Sequence, residues 1–191
     1  MTRQETLEEY KKTEPSPAMI ANLERSFVGY DRYYEAKLIY DYLAGKKINA
    51  LDYGCNCGDY GFYFLENGWT VDFFDYREVI EFVKFRLKEE GYSAGLYTIE
   101  QGWQKLPLDK HDLVIFGEVL EHMENPLEIL QACISSGVKY IMTSSYPYKS
   151  KEEFGMRGHL IEAFDQQNAC KELLEKHRRQ KFSGALILWI L

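Results

Sequence analysis

Apolar positions along this chain follow two different periods, and the periods alternate. Residues 77–90 place Val79, Phe82, Val83, Phe85 and Leu87 mostly on one face, which predicts an amphipathic helix closed by Gly91. Short apolar runs behave differently. Ile48 to Tyr53, Thr70 to Phe74, Leu113 to Phe116 and Tyr140 to Thr143 read as buried strands, with a further strand over 94–99. Between them the pattern predicts helices over 19–44, stopped by Gly45, and over 59–67, closed by Asn67-Gly68. Another spans 125–136, with Asn125 as N-cap, Pro126 at the first helical position and Gly137 behind it. Asp165 is expected to cap a helix running to about His177. Two strands, around Phe182 and over Ala185 to Ile190, close the chain through Ser183-Gly184. Residues 1–17 read as flexible or loosely helical, and no internal repeat is present.

Strands alternating with helices imply an α/β fold, a doubly wound and mostly parallel seven-stranded sheet covered on both faces. The last two strands are joined too tightly for a crossover, so an antiparallel last strand is expected. The length of 191 residues suits a single domain. Within it, residues 1–45 are expected to form a helical extension or lid, and 46–191 the body. Tyr30, Tyr33, Tyr34, Tyr40 and Tyr42 crowd that extension, and either a lid or ordinary core packing accounts for them.

Composition narrows the function classes. A hydrophobic share of 46% with 28% charged residues describes a soluble globular chain. The net charge of −7 argues against a protein that grips many phosphates, and so against a nucleic-acid partner. The first seventeen residues are polar, without the apolar stretch of a signal peptide. The longest apolar run, Ala185 to Leu191, falls far short of the roughly 20 residues that a membrane helix needs. No membrane partner is expected. The four cysteines include one close pair, Cys55 and Cys57, without a second pair to complete a metal site. Reduced thiols and a cytoplasmic setting follow.

The candidate chemistry begins where the first strand ends, in Leu51-Asp52-Tyr53-Gly54-Cys55-Asn56-Cys57-Gly58-Asp59-Tyr60-Gly61. A strand, a glycine-rich turn and a helix start make a nucleotide site in open α/β sheets, beyond the carboxyl ends of the strands. Glycine admits close backbone approach, and the helix start offers N–H groups to an anion. The dinucleotide pattern G-x-G-x-x-G is missing, because Asn56 stands at its second glycine. Asp52 would repel a pyrophosphate but suits a cationic amino group. A ligand with a zwitterionic end fits these residues.

Asp52 to Gly58 resembles the first motif of class I methyltransferases, D-x-G-x-G-x-G, with Asn56 in place of the middle glycine. The resemblance continues to roughly His177. Asp75 falls at the end of the second strand, roughly 20 residues on, where a carboxylate meets both ribose hydroxyls. Asp72, its competitor, lies on another strand face. Ile99 to Pro107 resembles the loop after the third strand, with Trp103 where the family commonly has an acid facing adenine. Trp103 as a stacking partner, Gln104 as a substitute hydrogen-bonding group, and Trp103 as core all remain open. His111 to His122 resembles the fourth strand and its E-V-L-E-H turn, where Phe116, Gly117 and Glu118 face the methionine end of the cofactor. Gly158 to Phe164 resembles a late segment that brings His159 toward the substrate.

The resemblance implies S-adenosylmethionine as cofactor, held by Asp52, Gly54, Cys55, Asn56, Gly58, Asp75, Tyr76, Trp103, Gln104 and Phe116. It implies a small-molecule acceptor, with His122, His159 and Glu118 as candidate bases and no metal. A nucleotide or RNA methyltransferase and a catalytically silent partner subunit are the rival readings. The chain lacks the N/D-P-P-Y motif that suits amino groups on bases. A homodimer with an exchanged lid is compatible with the sequence.

Overall fold

The apolar runs do become strands, and the seven strands join one sheet. The computed structural model describes residues 3–28, 32–144, 160–182 and 185–191. In chain order its strands are β1 (Asn49–Tyr53), β2 (Thr70–Asp75), β3 (Gly95–Thr98), β4 (Leu113–Gly117), β5 (Tyr140–Ser144), β6 (Arg178–Lys181) and β7 (Ile187–Ile190). The sheet order is β3-β2-β1-β4-β5-β7-β6. Pairs β2/β3, β1/β4 and β4/β5 are parallel, whereas β7 runs antiparallel to both β5 and β6. This is the expected seven-stranded, mostly parallel α/β fold.

The helices are α1 (Arg3–Lys11), α2 (Pro17–Val28), α3 (Arg32–Tyr42), α4 (Asp59–Glu66), α5 (Arg77–Glu90), α6 (Pro126–Ser135) and α7 (Ile161–Leu174). By packing, the chain divides into residues 1–47 with 54–105, and residues 48–53 with 106–191.

In the first unit, α5 lies where periodicity placed it. Gly91 ends it in the left-handed conformation, φ 78°, and donates its N–H to the Leu87 carbonyl. The expected helix over 19–44 is represented by α2 and α3, and residues 29–31 lie outside the described residues. The segment read as flexible or loosely helical contains α1, because Leu7 and Tyr10 find a buried partner in α5. The Tyr10 ring meets Phe82 edge-on, centroids 5.0 Å apart. Of the tyrosines left open between lid and core, Tyr33 and Tyr40 pack on α4, with ring centroids 5.7 and 6.2 Å from Tyr63. Tyr34 and Tyr42 are exposed. Tyr30 lies outside the described residues.

In the second unit, β4 and β5 are buried along their whole length. Asn125 precedes α6 as expected, with Pro126 at its start, but its side chain makes no capping bond. Gln166 of α7 closes that helix end instead, accepting the Leu127 N–H at 3.4 Å and donating to the Glu124 carbonyl at 2.6 Å. Asp165 does not cap α7, which begins at Ile161. Ala163, Gln167, Cys170 and Leu174 form its buried stripe, and that stripe starts before Asp165. Arg178–Lys181, which follow α7 in sequence, form β6 on the edge of the sheet. An edge strand carries no buried face to generate alternation, and its charges discourage pairing with another chain.

Candidate functional site

The turn after β1 is built from left-handed residues. Gly54, Asn56 and Gly58 have φ of 70°, 49° and 79°. Asn56 is one of the few residue types besides glycine to adopt this region readily, which explains how it replaces a glycine here. The Gly54 and Cys55 N–H groups both donate to the Phe74 carbonyl, at 2.8 and 3.3 Å, and Gly58 N–H donates to the Cys55 carbonyl at 2.8 Å. The turn is therefore fastened to the end of β2.

Asp75 completes that fastening. Its Oδ2 accepts the Asn56 N–H at 2.8 Å and its Oδ1 the Tyr76 N–H at 2.7 Å. The side chain is buried, 7% exposed. Burial pushes its carboxyl above the usual value, and the two backbone N–H groups work against that shift. A carboxylate has about four acceptor positions, so each oxygen retains capacity for another donor. Asn56 Oδ1, one residue into the turn's centre, is a buried acceptor with no partner. Tyr76 is 62% exposed just beyond Asp75, and Ile99 is exposed just beyond β3. The register pairs Asp75 with Thr98. Asp72 serves structure, accepting the Gly95 N–H at 2.8 Å.

Trp103 and Gln104 sit in a 3₁₀ turn over Trp103–Lys105, Trp103 half-buried and Gln104 exposed. Trp103 is thus no core residue. Cys55 and Cys57 are buried and outside any disulfide. Burial, reinforced by the Asp59 charge, pushes the Cys57 thiol up to about 12, so it stays protonated. Among the described residues no cluster of three His, Cys, Asp or Glu side chains is placed to hold a metal ion.

The second unit carries the other candidates. Asp52 is buried within β1, in register with Ile115 of β4. Phe116 is fully buried, its ring 5.2 Å from that of Tyr53. Glu118 follows β4 with φ 57°, a conformation that is uncommon for this residue type. Such outliers cluster at functional sites. His122 ends a 3₁₀ turn over Leu120–His122, its N–H donating to the Val119 carbonyl at 2.9 Å. Burial of the ring holds its imidazole below the usual histidine value, while the Glu118 charge acts in the opposite direction. His159 lies outside the described residues.

Sequence reasoning missed Arg86. It occupies the buried face of α5 and donates to the Cys57 carbonyl at 3.0 Å and to Asp59 at 3.1 Å. The available signal was a charge inside an apolar stripe (82, 83, 86, 87) with Glu90 one turn on.

Comparison with known proteins decides the family. Residues 27–177 match the family described as methyltransferase domain. The chain belongs to that family. Solved structures share its fold at low identity. Monomeric WbdD, elsewhere described as a bifunctional kinase-methyltransferase, is 19% identical, with 84% of this chain aligned to 41% of that one at a TM-score of 0.61. The mitomycin 7-O-methyltransferase MmcR is 14% identical over 99% of this chain and 60% of its own, TM-score 0.61. PH0226 from Pyrococcus horikoshii OT3 is 14% identical over 83% and 89%, TM-score 0.59. The methyltransferase-domain chain thus spans less than half of WbdD and about 60% of MmcR. No curated protein matches it. Among the described residues no helix is long and apolar enough to cross a membrane.

Proposed function

We propose that this chain transfers a methyl group from S-adenosylmethionine to an oxygen or nitrogen on a small molecule. The observation that carries the reading is Asp75, a buried carboxylate at the end of β2 that holds the glycine turn yet keeps acceptor capacity on both oxygens. Ribose hydroxyls are the donors that suit it. Asn56 Oδ1, a buried acceptor lacking a donor, suits the same polar ligand. Gly54, Cys55 and Gly58 would let the ligand reach the turn's backbone, and Tyr76, Trp103 and Gln104 would meet the adenine. Asp52 would attract the amino group, and Phe116 would border the methionine end.

The sulfonium cofactor supplies an activated methyl group, so the chain's own residues bind, orient and exclude water. An O–H or N–H acceptor also has a proton to lose. His122 is the described candidate to take it, with Glu118 as its neighbour, and His159 is the other candidate. Because its imidazole titrates below the usual value, His122 is neutral at pH 7 and competent as a base. Turnover is expected to fall as pH drops through a value below about 6.5. His122→Ala is expected to lower turnover roughly 10²- to 10⁴-fold, abolish that acid limb and leave cofactor affinity unchanged. A loss under about fivefold would make positioning alone the better account.

The net charge of −7 favours a small acceptor over RNA. The direct test is release of S-adenosylhomocysteine when the protein meets S-adenosylmethionine and a panel of phenols, amines, carboxylates and RNA. Release with a small acceptor is the expected outcome. Release with RNA alone, weakened by salt, would overturn the small-molecule reading.

A further inference from the structure

Arg86 is 2% exposed, yet its guanidinium is engaged on every side. Nε donates to Glu90 at 2.6 Å, Nη1 to the Cys57 carbonyl at 3.0 Å and to Asp59 at 3.1 Å, and Nη2 to the Tyr33 hydroxyl at 2.8 Å. Its Cζ lies over the Phe62 ring, 3.8 Å from the ring centre. Burial works against its charge, but Tyr33, Glu90 and Asp59 more than offset this, and the guanidinium titrates above its ordinary value. Burial also pushes the Tyr33 phenol up to about 12. The hydroxyl stays protonated, accepting from Arg86 and donating to Glu66 at 3.3 Å.

A buried ion is costly, and a well-packed apolar residue often serves stability as well. An apolar side chain does not satisfy the carbonyl of Cys57 or the carboxylate of Asp59. Cys57 stands between Asn56 and Gly58, the two left-handed residues at the turn's far side. Its carbonyl fixes the peptide plane that leads into α4, and Asp59 is the first residue of that helix. The turn is therefore held at two points, the Asn56 N–H by Asp75 and the Cys57 carbonyl by Arg86. The arginine's remaining arm reaches α3. That helix is also tied to α4 by a hydrogen bond from Tyr60 to Glu35.

We propose that Arg86 is a positioning residue for the cofactor turn, setting the Cys57 carbonyl and Asp59 and coupling the turn to α3 through Tyr33. The inference rests on the cofactor reading above for its effect on binding, and on geometry alone for its effect on the turn. Both effects are measurable in one set of variants: Arg86→Met, Arg86→Lys and Tyr33→Phe. S-adenosylhomocysteine is titrated calorimetrically, and the four cysteines are labelled with a thiol reagent and mapped by mass.

Arg86→Met is expected to raise Kd about tenfold or more at unchanged stoichiometry, with smaller increases for Arg86→Lys and Tyr33→Phe. Cys55 and Cys57 in the turn should label faster, while Cys133 and Cys170, buried elsewhere, should not. A purely structural role would instead lower the stoichiometry and speed labelling of all four. That result, or an unchanged Kd, would overturn the proposal. If Arg86→Met does not fold, the other two variants decide by the same criteria. If the unaltered protein binds no S-adenosylhomocysteine but Arg86 variants still expose only Cys55 and Cys57, the cofactor reading falls and the positioning of the turn stands.

Discussion

Asp75→Ala is expected to weaken binding of S-adenosylmethionine by roughly 10²- to 10⁴-fold. On the proposed reading, two charge-assisted hydrogen bonds to ribose hydroxyls would contribute about 1.5–3 kcal/mol each, and about 1.4 kcal/mol corresponds to tenfold in affinity. The substitution also releases the Asn56 N–H, now held at 2.8 Å, so the ligand's backbone contacts in the turn loosen as well. Asp75→Asn should be nearly as damaging. Its carboxamide offers an oxygen to one backbone N–H and a donor to the other, where a carboxylate accepts from both. Calorimetry on folded variants checks this. Unchanged affinity in either would remove Asp75 from the cofactor's contacts.

The second large effect concerns the packing that supports the turn. Gly61→Ala normally favours a helix by about 1 kcal/mol. Here the sign should reverse. A Cβ at Gly61 would stand 2.2 Å from Cε1 and 2.6 Å from Cζ of Phe73, and 3.0 Å from a methyl of Val71. Phe73 and Val71 are fully buried in β2, and Phe73 packs against Phe62 with centroids 5.5 Å apart. The Phe73 ring cannot swing into solvent, so α4 must lift from the strand. Overpacking of this kind costs about 1–3 kcal/mol, enough to lower Tm by roughly 2–12 °C in a chain of this size. A thermal melt in which Gly61→Ala is as stable as the parent, or more so, would contradict the close approach of α4 to β2.

The sequence makes the fold legible where burial imposes a period. The strands β1, β2, β4 and β5 are apolar runs because nearly all their positions are buried, and α5 shows its stripe because one face is buried. Legibility fails where burial is absent or local. Arg178–Lys181 is a strand by virtue of its partner β7, and nothing in its own polar sequence says so. The N-terminal helix α1 has a short apolar face whose meaning depends on Phe82, distant in sequence.

The site divides in the same way. Asp75 is legible because a strand end, a spacing and a carboxylate coincide, and the structure adds that the same carboxylate holds the turn. Trp103 is ambiguous in sequence because bulk and aromaticity serve core and ligand alike. Arg86 is hard to see because its partners come from two segments distant in sequence, Cys57 and Asp59 from the turn and Tyr33 from α3. A charge within an apolar stripe marks a residue with buried partners but does not name them.

We propose that the turn over Gly54 to Gly58, with Asp75, receives S-adenosylmethionine. Calorimetric titration of S-adenosylmethionine and S-adenosylhomocysteine into the purified protein, with NAD as control, tests it most directly. Binding of both sulfur ligands in the micromolar range, with no heat from NAD, whose pyrophosphate Asp52 would repel, is the expected result. Absence of binding by both sulfur ligands, or comparable binding of NAD, would contradict it.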